Sequence, residues 1–175
     1  LKYIRKKIIK NMDNLDDLVM VSPDEGGVKR AVRMANKLCV STATIYKERN
    51  APNQISTMVL MGNVSDKICI IVDDIIDTAG TACKAAEVLK EHGALGIYMF
   101  ASHGILSGPA IERINNSNFD KVIVSNTLDQ SFKDLGDKIE VMDISWMCAE
   151  AMRRSLFGES LKELYDKNIE DSIYR

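Results

Sequence analysis

The run Val72-Asp73-Asp74-Ile75-Ile76-Asp77-Thr78-Ala79-Gly80-Thr81 sets two adjacent carboxylates at the end of a strongly apolar stretch and Thr-Ala-Gly-Thr at the start of a helical pattern. A helix opening there leaves its first backbone amides without intrahelical partners, at the positive end of its dipole. The hydroxyls of Thr78 and Thr81 add donors, and Gly80 allows close approach, so a phosphate fits. Asp73 or Asp74 can accept hydrogen bonds from vicinal hydroxyls or hold Mg²⁺, a hard cation that prefers oxygen ligands. A sugar phosphate satisfies both halves at once. Composition alone does not separate this from a plainer reading, in which Asp77-Thr78 caps a helix and Asp73-Asp74 marks a strand leaving the core.

Two further loops have unusual chemistry. Ser22-Pro23-Asp24-Glu25-Gly26-Gly27 places a carboxylate after a strand and two glycines before a helix, which allows a second backbone anion cradle beside Asp24. Such Pro-Asp-x-Gly turns also occur in loops of every function. In Lys47-Glu48-Arg49, alternation along an extended segment puts both cations on one side, as suits a phosphoryl group gaining charge in a transition state. A solvated basic edge gives the same pattern. There is no G-x-G-x-x-G fingerprint and no G-x-x-x-x-G-K-[ST] loop, and no Ser/His/Asp arrangement emerges. His92 reads as helix-terminal. His103, following a strand, reads as structural or ligand-adjacent.

The elements that would hold these loops alternate between apolar runs of strand length and segments of helical period, the sign of an α/β fold around a mostly parallel open sheet. A basic helix over residues 1–11 leads into a strand at 18–21. A helix follows, with Val28, Ala31, Val32, Ala35 and Leu38 on one face. Strands are expected at 40–46 and 58–61. The run Ile68-Cys69-Ile70-Ile71-Val72 is the most apolar in the chain and reads as the central strand, covered on both faces. A helix over 82–91 ends at His92-Gly93, a residue pair suited to a left-handed cap. Strands near 97–101, 121–125 and 139–142 complete the pattern, with a short helix after Pro109 and a longer one over 144–157. Residues 1–175 read as a single domain.

The chain has 175 residues, 46% of them hydrophobic, which suffices for one well-cored domain. Its 23 Lys and Arg against 25 Asp and Glu leave a net charge of −2, which argues against a nucleic-acid partner whose phosphates need a basic face. Cys39, Cys69, Cys83 and Cys148 lack metal-ligand spacing and read as reduced core thiols. No stretch approaches the length of a membrane span, so no membrane partner is expected and the expected setting is the cytoplasm. The first residue, Leu1 rather than Met, suggests a chain cut from something longer.

Taken together, these loops resemble a known family. Residues 72–81 resemble the phosphoribosyl-diphosphate-binding signature of type I phosphoribosyltransferase folds. Adding VSPDEGGVKRA (21–31), YKERN (46–50), ASHGILSGPAIERI (101–114), VSNTL (124–128) and DISWMCAEAMRR (143–154) narrows the resemblance to the carboxyl-terminal half of the ribose-phosphate pyrophosphokinases, or phosphoribosyl pyrophosphate synthetases. It spans residues 16–164 in family order.

The resemblance implies a type I phosphoribosyltransferase-like fold. The implied activity moves the diphosphoryl group of ATP to ribose 5-phosphate, with Mg²⁺, to give phosphoribosyl pyrophosphate and AMP. By motif, Asp73, Asp74, Asp77, Thr78, Ala79, Gly80 and Thr81 would bind the ribose and its 5-phosphate, with Arg49 on the same side. Asp24 would be a magnesium ligand, Gly26 and Gly27 would receive the diphosphate, and Lys47 would stabilise charge on the transferring group, with Arg49 also placed in the catalytic set. The family's amino-terminal half, with its ATP contacts and a metal-binding histidine, has no counterpart here, so this chain alone is expected to be inactive. The longer enzyme is expected to form homo-oligomers. Gly158-Glu159-Ser160 matches a segment of a regulatory site in many members, whereas residues 161–165 depart from it. Two other readings stand beside it: a catalytically silent associated subunit, whose class resembles this chain overall but degrades the phosphate loop that is intact here, and a phosphoribosyltransferase that shares the loop and consumes phosphoribosyl pyrophosphate. The second leaves the loops at 22–27 and 47–49 unexplained.

Overall fold

Strand-length apolar runs form a seven-stranded sheet among the residues described by the computed structural model, which are Ile4, Ile8, 14–48 and 57–166. The strands are β1 (Leu18–Ser22), β2 (Ser41–Glu48), β3 (Thr57–Met61), β4 (Ile68–Ile76), β5 (Gly96–Gly104), β6 (Lys121–Ser125) and β7 (Ile139–Met142). Their spatial order is β3-β2-β1-β4-β5-β6-β7, and every neighbouring pair is parallel except β2 with β3. β4 is therefore the middle strand, as its continuous Ile/Val run requires. The chain leaves β1 toward β2 and later returns to β1's other side as β4, so the order reverses between β1 and β4. In open α/β sheets the crevice beyond the carboxyl ends at such a reversal is where ligands bind.

Alternation along the strands builds two cores, one on each face. Val19, Val21, Cys69 and Ile71 pack with Ala82, Ala85, Ala86 and Leu89 of α2 (Gly80–Glu91) and with Ala110 and Ile114 of α3 (Ala110–Asn115). Leu18, Met20, Ile70 and Val72 point the other way, onto Ala35 and Leu38 of α1 (Val28–Leu38) and onto Ile4 and Ile8. Alanines on the sheet-facing side of α2 let that helix lie close to the sheet and hold its first turn at the carboxyl end of β4. α2 stops at His92, whose ring nitrogen Nδ1 lies 2.7 Å from the Val88 carbonyl, and at Gly93 with φ of +86°.

The chain divides into two compact units, Leu1–Met142 and Asp143–Arg175. The described part of the second consists of α4 (Ser145–Leu156) and α5 (Leu161–Asp166). The buried side chain of Arg154 holds the turn after α4 through bonds to Glu150 Oε1 at 2.7 Å and the Ser160 carbonyl at 2.9 Å.

Several boundaries differ from the sequence expectation. β4 runs past Asp73-Asp74 to Ile76, because the pair continues hydrogen-bonded register with β5 beyond the apolar run. β2 extends to Glu48, so Lys47 lies in a strand rather than a loop. β5 extends to Gly104 and includes His103. α2 begins at Gly80, two residues early, and α5 was not expected. The cysteines are free but not all core: Cys69 is buried and Cys83 half-buried, whereas Cys39 and Cys148 are exposed. Cys39 is the left-handed cap of α1 at φ 57°, a position that turns its side chain out of the helix's buried stripe. Apart from Ile4 and Ile8, the basic helix expected over 1–11 lies outside the described residues.

Candidate functional site

The loop from Asp77 to Thr81 follows β4 directly and enters α2 at Gly80. The carbonyls of Ile76, Asp77 and Thr78 are each held by a protein donor. Ile76 C=O accepts from the amides of Ile105 and Leu106 at 2.8 and 3.2 Å, Asp77 C=O from the Ser107 amide at 3.1 Å, and Thr78 C=O from Arg113 Nη1 at 3.0 Å. In a planar trans peptide the C=O and the following N–H point in opposite directions. Fixing these carbonyls inward therefore turns the amides of Thr78 and Ala79 outward. The amides of Gly80 and Thr81 follow as the open first turn of α2. Among the described residues no protein group accepts from the amides of Thr78 to Thr81, nor do the hydroxyls of Thr78 and Thr81 bond to protein. Asp77, Thr78, Gly80 and Thr81 are exposed, while Ala79 is buried with φ of +60°. The result is a row of open donors at a helix dipole's positive end, the arrangement that takes an anion.

Beside it, one cation gathers the two carboxylates. Arg30 Nη1 lies 2.8 Å from Asp73 Oδ1, and Nη2 lies 2.8 Å from Asp74 Oδ2. Asp73 Oδ1 also accepts the Asp74 amide at 2.9 Å. Burial pushes the Asp73 carboxyl above the ordinary aspartate range, its bond from the Asp74 amide opposing. For Asp74, lost hydration acts upward but is outweighed by Arg30 and by the contact with Asp73, so its carboxyl lies below that range. Arg30 was not among the residues singled out from sequence. A signal existed: the first turn of α1 holds Lys29 and Arg30 and no acid, the unfavourable sign for a helix start unless carboxylates stand opposite.

The loop after β1 touches the same cluster. Asp24 Oδ1 accepts the Gly27 amide at 2.9 Å, and buried Ser22 donates its hydroxyl to the Asp24 carbonyl at 2.7 Å. A side chain at Gly27 would place its first carbon 2.6 Å from Ser22 Oγ and 3.6 Å from Arg30 Nη1. Gly27 is therefore required by crowding, since its φ of −82° is open to any residue. Asp24 and Gly26 are exposed. Among the described residues no three His, Cys, Asp or Glu side chains converge as a ready metal cage.

Lys47 sits exposed near the carboxyl end of β2, opposite Met58, on the face shared by Ala43 and Ile45. Arg30 pairs with Asp73 and Asp74, Asp24 accepts from Gly27 beside it, and Asp77 to Thr81 follow β4 directly. Lys47 is positioned by its strand alone. Arg49 lies outside the described residues. His103, in β5, has Nδ1 2.8 Å from Thr127 Oγ1, whose hydroxyl also reaches the Ser102 carbonyl at 3.1 Å, so it belongs to a polar cluster at the ends of β5 and β6.

Comparison with known proteins places the chain's fold and sequence among relatives. Ribose-phosphate pyrophosphokinase 3 of Saccharomyces cerevisiae is 47% identical over 161 residues, covering 91% of this chain and 50% of that protein. The chain spans about half the length of the curated relatives it matches. In structure it is similar to a phosphoribosylpyrophosphate synthetase from Mycobacterium smegmatis, with a TM-score of 0.79 and 34% identity, covering 90% of this chain and 49% of the other. An adenine phosphoribosyltransferase, at a TM-score of 0.54 and 17% identity over 70% of this chain and 73% of its own, shares the fold alone. Residues 47–166 match the family described as the phosphoribosyl synthetase-associated domain. With that match over more than half its length, and with the α/β phosphoribosyltransferase-like sheet expected from its sequence, the chain belongs to the phosphoribosyl synthetase-associated domain family.

Proposed function

We propose that this chain is the ribose 5-phosphate and diphosphate-binding part of a ribose-phosphate diphosphokinase, an enzyme that moves the diphosphoryl group of ATP to ribose 5-phosphate and forms phosphoribosyl pyrophosphate and AMP. The observation that carries the reading is the outward row of amides from Thr78 to Thr81, adjoining the carboxylates of Asp73 and Asp74. A phosphorylated pentose offers an anion and a diol at that separation of chemistry: the 5-phosphate takes the amides and the hydroxyls of Thr78 and Thr81, and the ring hydroxyls donate to Asp73 or Asp74. The exposed Gly26 amide and the loop around it receive the diphosphate.

The chemistry requires no covalent nucleophile. Diphosphoryl transfer depends on holding donor and acceptor in line and on placing cations and amide dipoles where charge grows. Asp24 would hold Mg²⁺, which when bound neutralises charge on the diphosphate. Lys47, with Arg49 beside it in sequence, meets charge that develops on the transferring group. The intact Asp77-Thr78-Ala79-Gly80-Thr81 run favours a substrate-binding role over a silent associated subunit. ATP contacts come from a second half, and the working enzyme is a homo-oligomer of the cytoplasm. Among the described residues no helix is long and apolar enough to cross a membrane.

Calorimetry tests the central step. Ribose 5-phosphate should bind the 175-residue chain, ribose should bind far more weakly, and Thr81→Ala should weaken the phosphate-dependent part about tenfold, as expected for losing one hydrogen bond to a charged group. A folded chain that gives no heat with ribose 5-phosphate overturns the reading.

A further inference from the structure

The carbonyls that aim the phosphate loop are not held alike. Those of Ile76 and Asp77 accept from backbone amides in the turn at residues 105–107, a support that no side-chain substitution removes. The Thr78 carbonyl instead accepts from the side chain of Arg113, on α3, 35 positions further along the chain. The peptide it controls is the one next to strain. Ala79 has φ of +60°, a conformation that residues with a Cβ rarely adopt. Rotating the Thr78–Ala79 peptide about its two flanking bonds would let Ala79 return to negative φ. The same rotation would exchange the ends of the peptide, so that the Ala79 N–H turned inward and the Thr78 carbonyl oxygen faced the anion.

From this geometry we infer that Arg113 is a positioning residue for the phosphate site: its bond to the Thr78 carbonyl locks the strained peptide with the Ala79 amide outward, ready for the 5-phosphate. The inference rests on the sugar-phosphate reading of the loop. In this reading Arg113 acts on the site through the peptide. Its guanidinium lines an open cleft of about 630 Å³ between α2 and α3, with Gly80, Cys83, Lys84 and Glu87 on the facing wall. It can therefore be replaced without opening the buried core.

The test combines calorimetry with amide NMR on the full chain, using ribose 5-phosphate and inorganic phosphate as probes. Arg113→Ala should lower ribose 5-phosphate affinity about tenfold, the scale of one lost charge-oriented hydrogen bond. It should also abolish the ligand-induced shift of the Ala79 amide while that of Thr81 persists. Arg113→Lys, which keeps a cationic donor on a stem of similar length, should restore the Ala79 response and most of the affinity. A merely structural role for Arg113 would lower the melting temperature without this selective loss at Ala79. The inference is overturned if Arg113→Ala leaves affinity and the Ala79 response intact, or if Arg113→Lys retains affinity with no Ala79 response. Should Arg113→Ala not fold, Arg113→Lys decides alone by that same response. Failure of the unaltered chain to bind ribose 5-phosphate would instead strike the functional reading, and inorganic phosphate moving the Ala79 amide of the unaltered chain but not of Arg113→Ala would still support the role of Arg113.

Discussion

Arg30 Nη1 stands 2.8 Å from Asp73 Oδ1, across 43 residues of sequence, and so ties the first turn of α1 to the carboxyl end of the central strand. The contact keeps two adjacent carboxylates compatible in one site. Asp73 carries the cost of burial and lies above the ordinary range, while Asp74 lies below it under the net pull of Arg30 and Asp73.

Replacing Arg30 by Gln should raise the titration of both carboxyls, because their mutual repulsion then lacks a cation. The two signs differ in the unaltered protein. Asp74, depressed, contributes stability that is present above the ordinary value of 3.8 and is lost as pH falls through its folded value. Asp73, raised, costs stability above its folded value, and protonation on acidification relieves that cost. Residue-resolved carbon NMR titration separates them. In Arg30→Gln both midpoints should rise and ribose 5-phosphate affinity should fall about tenfold or more, as expected when a partly exposed, bidentate charge pair is lost. Unmoved midpoints would show that Arg30 does not set the charge of this pair.

Gly27→Ala should be destabilising by about 1–3 kcal/mol, the usual cost of inserting a methyl group into a filled site. The new carbon would meet Ser22 Oγ at 2.6 Å, and Ser22 is fully buried and already bonded to the Asp24 carbonyl. In a double-mutant cycle of urea melts, Ser22→Ala should recover part of the loss, because it removes the oxygen that clashes. Strict additivity of the two changes would point to some other source of crowding.

Thiol labelling distinguishes the four cysteines. Burial pushes the Cys69 thiol up to about 12, with Lys67 opposing weakly, so its reactive thiolate is scarce as well as shielded. Burial also raises Cys83. A maleimide at neutral pH should label Cys39 and Cys148 first, Cys83 slowly, and Cys69 only on unfolding. Mass spectrometry of the digested adducts reads the order, and early modification of Cys69 would contradict the core assigned to β4.

The helical second unit should lose an ionic support in acid. Hydrogen bonds from Arg153 and Arg154 hold the half-buried Glu150 carboxyl down to about 2. Because the folded value is depressed, this support is complete above the ordinary value of 4.5 and is lost as pH falls from there toward about 2. An NMR titration of Glu150 should place its midpoint well below 4.5. Added salt should weaken the Arg153 contact first, since that side chain is 43% exposed against 10% for Arg154. A midpoint at the ordinary glutamate value would remove the network from the account.

Much of this molecule was legible from its residues in order. The Ile/Val run at 68–72 announced a strand covered on both faces, and the structure places β4 in the middle of seven. Of the stripe expected on α1, Ala31, Ala35 and Leu38 are buried, whereas Val28 is only partly buried and Val32 is exposed. Such signals are local: side-chain period follows from backbone geometry, and a helix start exposes its amides wherever it occurs. Asp73, Asp74 and residues 77–81 were recognisable for that reason. What only the tertiary structure decided is the direction in which those groups face. The outward turn of the Thr78 and Ala79 amides depends on acceptors and donors brought from residues 105–107 and from Arg113, and the sharing of Asp73 and Asp74 depends on Arg30 in a helix before them. Peptide orientation and charge pairing are set by what lies opposite in space, and no periodicity along the chain encodes it.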